Sequence, residues 1–319
     1  MSVRIFKNVE HQNLFDKQGF IVLPFLNTEE IDDLNKIFDQ LHPEIESSGF
    51  FSGSYSSDFS YKKKASDDIV RNFNRSYEGL FIDYTPFGGA FLFKVPGANS
   101  ELAAHQDWTI VDEKKYVALN CWIPLCDISL ENGPLMILPG SHFKNLNVLR
   151  APTLPFFFSG EDKMVVDELE PMLVKAGTAV ILNQSVIHYS LPNLGNTVRK
   201  AITAGVKSKD AQMYFHYKDL TSNKYELEVF EQEDDFLLRF ENFFEDISQR
   251  PKNGRSIGFI PYQLPQLKGN ELYHKIKEMK TSAGFQMKTN PKVSKSENQT
   301  TPDRKENSFL KKLTSIFTN

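Results

Sequence analysis

The stretch TAVILNQSVIHYSLPNLGNTVRKAITAGVK, Thr178–Lys207, decides the reading of this chain. Three short β-rich runs, Thr178–Leu182, Val186–Ser190 and Val198–Lys207, are separated by turn residues such as Pro192, Asn193 and Gly195. His188 closes the apolar run Val180–Ile187, and Arg199 opens the next strand. Strand alternation puts Arg199, Ala201, Thr203 and Gly205 on one face. A cationic head followed by small side chains suits the wall of a cavity better than a filled core. Working outward, Phe91–Val95, Ala104–Ile110, Tyr116–Leu125, Pro134–Leu138 and Gln212–Tyr217 carry the same short β texture. Eight such strands predict a mainly β protein with flanking helices, built on a β-sandwich or a double-sheet jelly roll.

The flanks read differently. Phe20–Pro24 is a short strand, and Thr28 is the expected N-cap of a helix. Ile31, Leu34, Ile37, Phe38 and Leu41 recur there at helical spacing until Pro43. Ser47–Ser60 reads as a long ordered loop, and Lys62–Lys64 after it as a solvated basic run, with a contact to a phosphate-bearing substrate as the alternative. A second amphipathic helix is expected over Glu233–Ile247. Phe156, Phe157 and Phe158 fit either a lid over an apolar substrate or simple loop packing. The domain is expected over 1–283, with its β core at about 90–217. Residues 284–319, dominated by Lys, Ser, Thr and Asn, read as a disordered basic tail.

Composition excludes several classes. The chain has 319 residues, 40% hydrophobic and 24% charged, the balance of a soluble globular protein. A formal net charge of −4 argues against a general nucleic-acid binder. Cys121 and Cys126 cannot make a disulfide framework, and no leader or membrane-spanning run is evident, so a cytoplasmic protein is expected. The 27 Phe imply a bulky core, some of it lining an apolar pocket.

His105-Gln106-Asp107 supplies the chemistry. On a strand, residues i and i+2 share a face, so the His105 imidazole and the Asp107 carboxylate converge. His188, from a facing strand, completes a two-His, one-carboxylate set, with His142 in its Pro-Gly-Ser-His turn as the rival third ligand. Two His, one carboxylate and open positions form the facial triad of a non-haem Fe(II) oxygenase. The open positions suffice for a bidentate 2-oxo acid and O2, and Arg199 would hold the distal carboxylate of 2-oxoglutarate.

Further motifs narrow this. They are Lys94-Val95-Pro96-Gly97, His105-Gln106-Asp107-Trp108, Trp122 leading into Glu131-Asn132-Gly133-Pro134-Leu135, Pro139-Gly140-Ser141-His142, His188-Tyr189-Ser190 and Arg199. With these, the chain resembles the phytanoyl-CoA dioxygenase family of Fe(II)/2-oxoglutarate oxygenases over about Phe20–Lys207. The resemblance implies a double-stranded β-helix, the cupin-like jelly roll, with His105, Asp107 and His188 on iron. It implies Arg199, Gln106, Trp122, Ser190 and Lys94 around the cosubstrate 2-oxoglutarate. Family halogenases replace the iron-binding carboxylate with a small residue; Asp107 is present, which points away from halogenation. The expected reaction is hydroxylation of a C–H bond in a small organic or acyl-type substrate, free or tethered to CoA or a carrier. Desaturation, epimerisation or cyclisation at the same centre, and a non-catalytic cupin-like binding protein, are the alternatives.

Overall fold

The computed structural model describes residues 3–45, 47–142, 148–240 and 246–288. In chain order it shows α1 (Val9–Gln18), β1 (Phe20–Pro24), α2 (Thr28–Leu41), β2 (Gly49–Ser52), α3 (Phe59–Leu80), β3 (Tyr84–Val95) and β4 (Leu102–His105). There follow β5 (Ala118–Pro124), β6 (Leu135–Ile137), α4 (Asp162–Asp167), β7 (Glu170–Pro171), β8 (Thr178–Asn183) and β9 (His188–Ser190). The remainder is β10 (Arg199–Ser208), β11 (Met213–Tyr217), β12 (Glu226–Gln232), α5 (Phe236–Arg239), β13 (Arg255–Pro261) and α6 (Gly269–Ala283).

Two antiparallel sheets make the double-stranded β-helix. The large one runs β1-β8-β5-β10-β3-β2, and the small one runs β4-β9-β6-β7. Period-2 alternation decides which side chain faces where. On the large sheet Leu119, Cys121, Ile123, Ile181, Ile202, Ala204 and Val206 point outward into a layer shared with the N-terminal helices. Trp122, Val180, Leu182 and Ala201 point inward, against Leu135 and Ile137 of the small sheet. Arg199 and Thr203 share the inward parity of Ala201. The expected placement of small residues on that face has a packing cause at Gly205, where a Cβ would lie 2.2 Å from the Phe87 ring.

The helices form for local reasons. α2 is capped by Asn27, not Thr28: the Asn27 side chain accepts from the Glu30 backbone N–H, and the Glu30 carboxylate accepts from that of Asn27. Its stripe of Leu34, Ile37 and Phe38 is buried against the large sheet, each such residue contributing about 1.5–3 kcal/mol of transfer free energy. The expected loop at Ser47–Ser60 instead holds β2, a 3-10 turn over Gly53–Tyr55 and the start of α3. Lys62–Lys64 lies in α3, and Lys62 is buried. The helical stripe Ile69, Phe73 and Tyr77 overrides the basic run, because its burial outweighs the solvation of one lysine stem.

Much of the phenylalanine content is explained here. Phe6, Phe15, Phe25, Phe38, Phe73, Phe81, Phe91 and Phe93 fill the layer between helices and sheet. Phe157 and Phe158 are buried with Leu272, Ile276 and Met279 of α6, and Phe156 stacks on Phe158 at 5.4 Å. That segment is packing, not a lid.

Outside the jelly roll, β11-β12-β13 form a third sheet, which extends the β structure beyond the expected end at Tyr217. Of the helix expected over 233–247, α5 is seen, and residues 241–245 lie outside the described residues. Residues 284–288 also differ from expectation. Phe285 and Met287 pack against the core, and the Lys288 backbone N–H donates to Glu168 at 3.0 Å. The rest of the expected tail lies outside the described residues.

Candidate metal centre and anion pocket

β4 and β9 are antiparallel neighbours, and their register sets His105 opposite His188. Strand geometry ends at His105, and the following residues carry Asp107 back to the same point. Ligand atoms of His105, Asp107 and His188 all lie within 4.8 Å of one another. The imidazole centroids are 4.1 Å apart, and His188 Nε2 is 3.9 Å from Asp107 Oδ1.

Backbone carbonyls fix both tautomers. His105 Nδ1 meets the Ala103 carbonyl at 2.7 Å, and His188 Nδ1 meets that of Val186 at 3.0 Å. A carbonyl only accepts, so each Nδ1 carries the proton and each Nε2 presents a lone pair to the shared point. Burial first, and then the neighbouring His188, push His105 down to about 4. It is therefore neutral at pH 7, the form that ligates. The donor set, two imidazole nitrogens and a carboxylate oxygen, fits a divalent first-row metal. His142 is elsewhere: its Nε2 meets the Asp16 carbonyl at 2.9 Å, and its ring packs over Gly19. Gly19 has φ +84°, and a Cβ there would sit 2.5 Å from His142 Nδ1.

Arg199 is 2% exposed, and its Nε and Nη1 have no hydrogen-bond partner among the described residues. Its guanidinium lies 5.6 Å from the Trp122 ring. Burial pushes it down to about 10, which leaves it cationic at neutral pH. Register sets Arg199 beside Lys94 of β3. Lys94 is fully buried and donates to the Ser190 and Leu191 carbonyls at 2.9 and 2.6 Å. Burial, and then repulsion from Arg199, hold its amine well below the usual lysine range. Ser190, also buried, directs its hydroxyl to the Gly133 carbonyl at 3.3 Å. A buried guanidinium with two unbonded nitrogens calls for an anion.

Gln106 faces another way. Its amide donates to the Ser185 carbonyl, and the side chain lines a cleft of about 900 Å³ with Thr109, Arg150, Tyr214 and His216. None of the three candidate ligands lines that cleft.

Sequence reasoning missed three contributors. Asn120 donates to Asp107 Oδ2 at 3.1 Å. Tyr55, from the turn after β2, has its phenol pushed up to about 12, by burial and then by the Asp107 charge. Arg150 donates through Nε to the Asp107 carbonyl at 2.7 Å and forks onto the Glu113 carboxylate. The available signal was Asn120, a lone polar residue inside the apolar run of β5.

Fold and donor set together define a jelly-roll protein with a two-His, one-carboxylate centre and a buried, inward-facing arginine. The family model for phytanoyl-CoA dioxygenase matches residues 15–201, more than half of the chain, and the chain belongs to that family. It is 30% identical over 199 residues to phytanoyl-CoA dioxygenase domain-containing protein 1 of Danio rerio, covering 60% of this chain and 62% of that protein. It is 32% identical over 129 residues to phytanoyl-CoA dioxygenase of Arabidopsis thaliana, covering 38% and 43%. The matched part thus spans about half the length of these relatives. Among solved structures, the non-haem alpha-ketoglutarate-dependent carbocyclase SnoK from nogalamycin biosynthesis aligns with a TM-score of 0.46 and 17% identity, over 65% of this chain and 86% of that one.

Proposed function

We propose that the protein is an Fe(II)- and 2-oxoglutarate-dependent oxygenase that hydroxylates a C–H bond of a small organic or acyl-type substrate. One observation carries the reading: an intact His105, Asp107, His188 set occurs in the same jelly roll as a buried, inward-facing Arg199 whose Nε and Nη1 have no hydrogen-bond partner among the described residues. In this reading the three residues hold Fe(II), and Arg199 receives the distal carboxylate of 2-oxoglutarate in a charge-assisted pair. When bound, iron and cosubstrate supply oxidative decarboxylation coupled to oxygen transfer from O2, with succinate and CO2 as coproducts.

The chain's own part is positioning. Trp122 forms a flat wall against which the guanidinium lies, and Ser190 offers a hydroxyl that can turn from the Gly133 carbonyl to a ligand carboxylate. Lys94 ties β3 to the chain after β9 through the Ser190 and Leu191 carbonyls. Gln106 contributes indirectly, by holding the Ser185 carbonyl so that the segment before His188 keeps its path. Among the described residues no helix is long and apolar enough to cross a membrane. The test is succinate release from 2-oxoglutarate on adding Fe(II) and ascorbate, followed by a metabolite screen for a mass gain of one oxygen. Release that depends on Fe(II) and on His188 supports the reading; a protein that binds neither Fe(II) nor 2-oxoglutarate overturns it.

A further inference from the structure

We infer that Thr203 and Asn120 form a positioning relay that holds Asp107 so that one of its oxygens is kept for the metal; this rests on the metal reading above. Asn120 sits in mid-β5 with Leu119 and Cys121 buried on either side. An amide in such a run costs free energy unless both its ends are bonded. Both are. The Asn120 Nδ2 donates to Asp107 Oδ2 at 3.1 Å, and the Thr203 hydroxyl donates to Asn120 Oδ1. The sheet brings them together: register pairs Asn120 with Gly205 and Trp122 with Thr203, so Asn120 and Thr203 are diagonal neighbours on the inward face.

The direction of the relay follows from its chemistry. An ionised carboxylate only accepts, so the amide must present Nδ2 to Asp107 and is left with Oδ1 toward β10. Only a donor serves there, which Thr203 supplies. The two Asp107 oxygens then have different tasks. Oδ2 is taken by Asn120, whereas Oδ1 is the oxygen 3.9 Å from His188 Nε2, on the side of the shared point. A carboxylate tied this way is turned with Oδ1 toward the shared point. Each of its oxygens has two lone-pair sites, so the Asn120 bond orients the group and disfavours two-oxygen ligation by competing for Oδ2. The large sheet thereby orients one ligand of a centre whose histidines belong to the small sheet.

The experiment titrates metal-free, full-length protein with Mn(II), followed by electron paramagnetic resonance, and with Co(II), followed by its d–d absorption. Asn120→Ala should weaken Mn(II) binding by about 10- to 100-fold, the usual range for such outer partners. Its Co(II) bands should change intensity, as a reoriented carboxylate ligand requires. Thr203→Val should weaken binding less, and should add nothing in the Asn120→Ala background, because the relay is already cut. Binding by Asn120→Ala within twofold of wild type, with an unchanged Co(II) spectrum, overturns the relay. So does a Thr203→Val effect of equal size in both backgrounds. If Asn120→Ala does not fold, Thr203→Val alone decides: wild-type affinity overturns the inference. His188→Ala separates the two levels, since wild-type metal affinity in that variant overturns the metal reading itself.

Discussion

Arg199 shows at the scale of one residue what an unmet requirement implies. A guanidinium at 2% exposure with two unbonded nitrogens is a standing cost until an anion arrives. Arg199→Ala is expected to raise the 2-oxoglutarate concentration needed for half-maximal turnover, by a loss of about 2–5 kcal/mol in binding, and to leave Fe(II) affinity unchanged. Lys200 is the control. It points outward to Asp39 at 2.6 Å, and Lys200→Ala should leave cosubstrate kinetics as they were. His216 makes a separate test in acid. Burial pushes it down to about 4, and its Nδ1 lies 3.1 Å from the Thr109 carbonyl. An unfolded histidine titrates near pH 6.5, so between pH ~6.5 and ~4 the unfolded chain takes a proton that the folded chain refuses. The associated stability is whole above that window and is lost as pH falls through it, about 3 kcal/mol in all. Urea unfolding of metal-free protein at pH 7 and pH 5 should show a smaller difference in His216→Gln than in wild type. Equal differences would mean that His216 charges freely in the fold.

Among the elements, the segment from His105 to Val111 is held by a neighbour remote in sequence. Arg150 spans it, donating to the Asp107 carbonyl and to Glu113, while its own N–H donates to the Thr109 hydroxyl at 3.1 Å. Arg150 is almost wholly buried, and removing one partner of such a pair costs about 3–5 kcal/mol. Arg150→Ala should therefore lower the unfolding free energy by an amount of this order and weaken metal binding as well. Normal metal affinity in a destabilised Arg150→Ala would confine the residue to packing. This contact marks where the sequence stops being informative. Strand parity put Arg199, Ala201 and Thr203 on one face, because period 2 is local, whereas the pairing of His105 with His188 is set by the register of two strands remote in sequence. Pairing Arg150 with Glu113 depends on how two loops meet, which no local period encodes. The start of α3 was hidden for a related reason: the serines and glycines before it resemble loop, and Asp58 is the cap that begins it. Glu226–Val229 alternates charged and apolar residues as a strand should, but adjacent Val229 and Phe230, at a register shift, break the period that would mark the whole strand.

For the molecule as a whole, α6 closes one flank. Leu272, Ile276 and Met279 cover the small sheet, and buried Lys280 donates to the Glu168 carbonyl and to both Glu168 and Glu170 carboxylates at 2.9–3.0 Å. The turn at Pro139-Gly140 abuts this helix: Gly140 has φ +78°, and a Cβ there would lie 2.3 Å from the Met279 carbonyl. A chain ending at Lys288 retains all of these contacts and is expected to keep the melting temperature and metal affinity of the full chain. One ending at Lys268 uncovers Leu138, Phe157, Phe158 and Leu169 and should not yield folded protein. A large drop in melting temperature for the longer truncate would assign structure to residues beyond 288.

The two sheets differ in build. β3 and β10 have 12 and 10 residues and pair along almost their whole lengths, whereas β4, β6 and β9 have only 4, 3 and 3. The histidines thus sit on the half with the shorter ladders, and Arg199 and Asn120 on the half with the longer ones. In deuterated water this becomes a difference of clocks. Amides of β4 and β9 in metal-free protein should exchange through local openings long before those of β3 and β10, which wait for global unfolding. Adding the metal should slow the fast clock toward the slow one and leave the slow one nearly where it was.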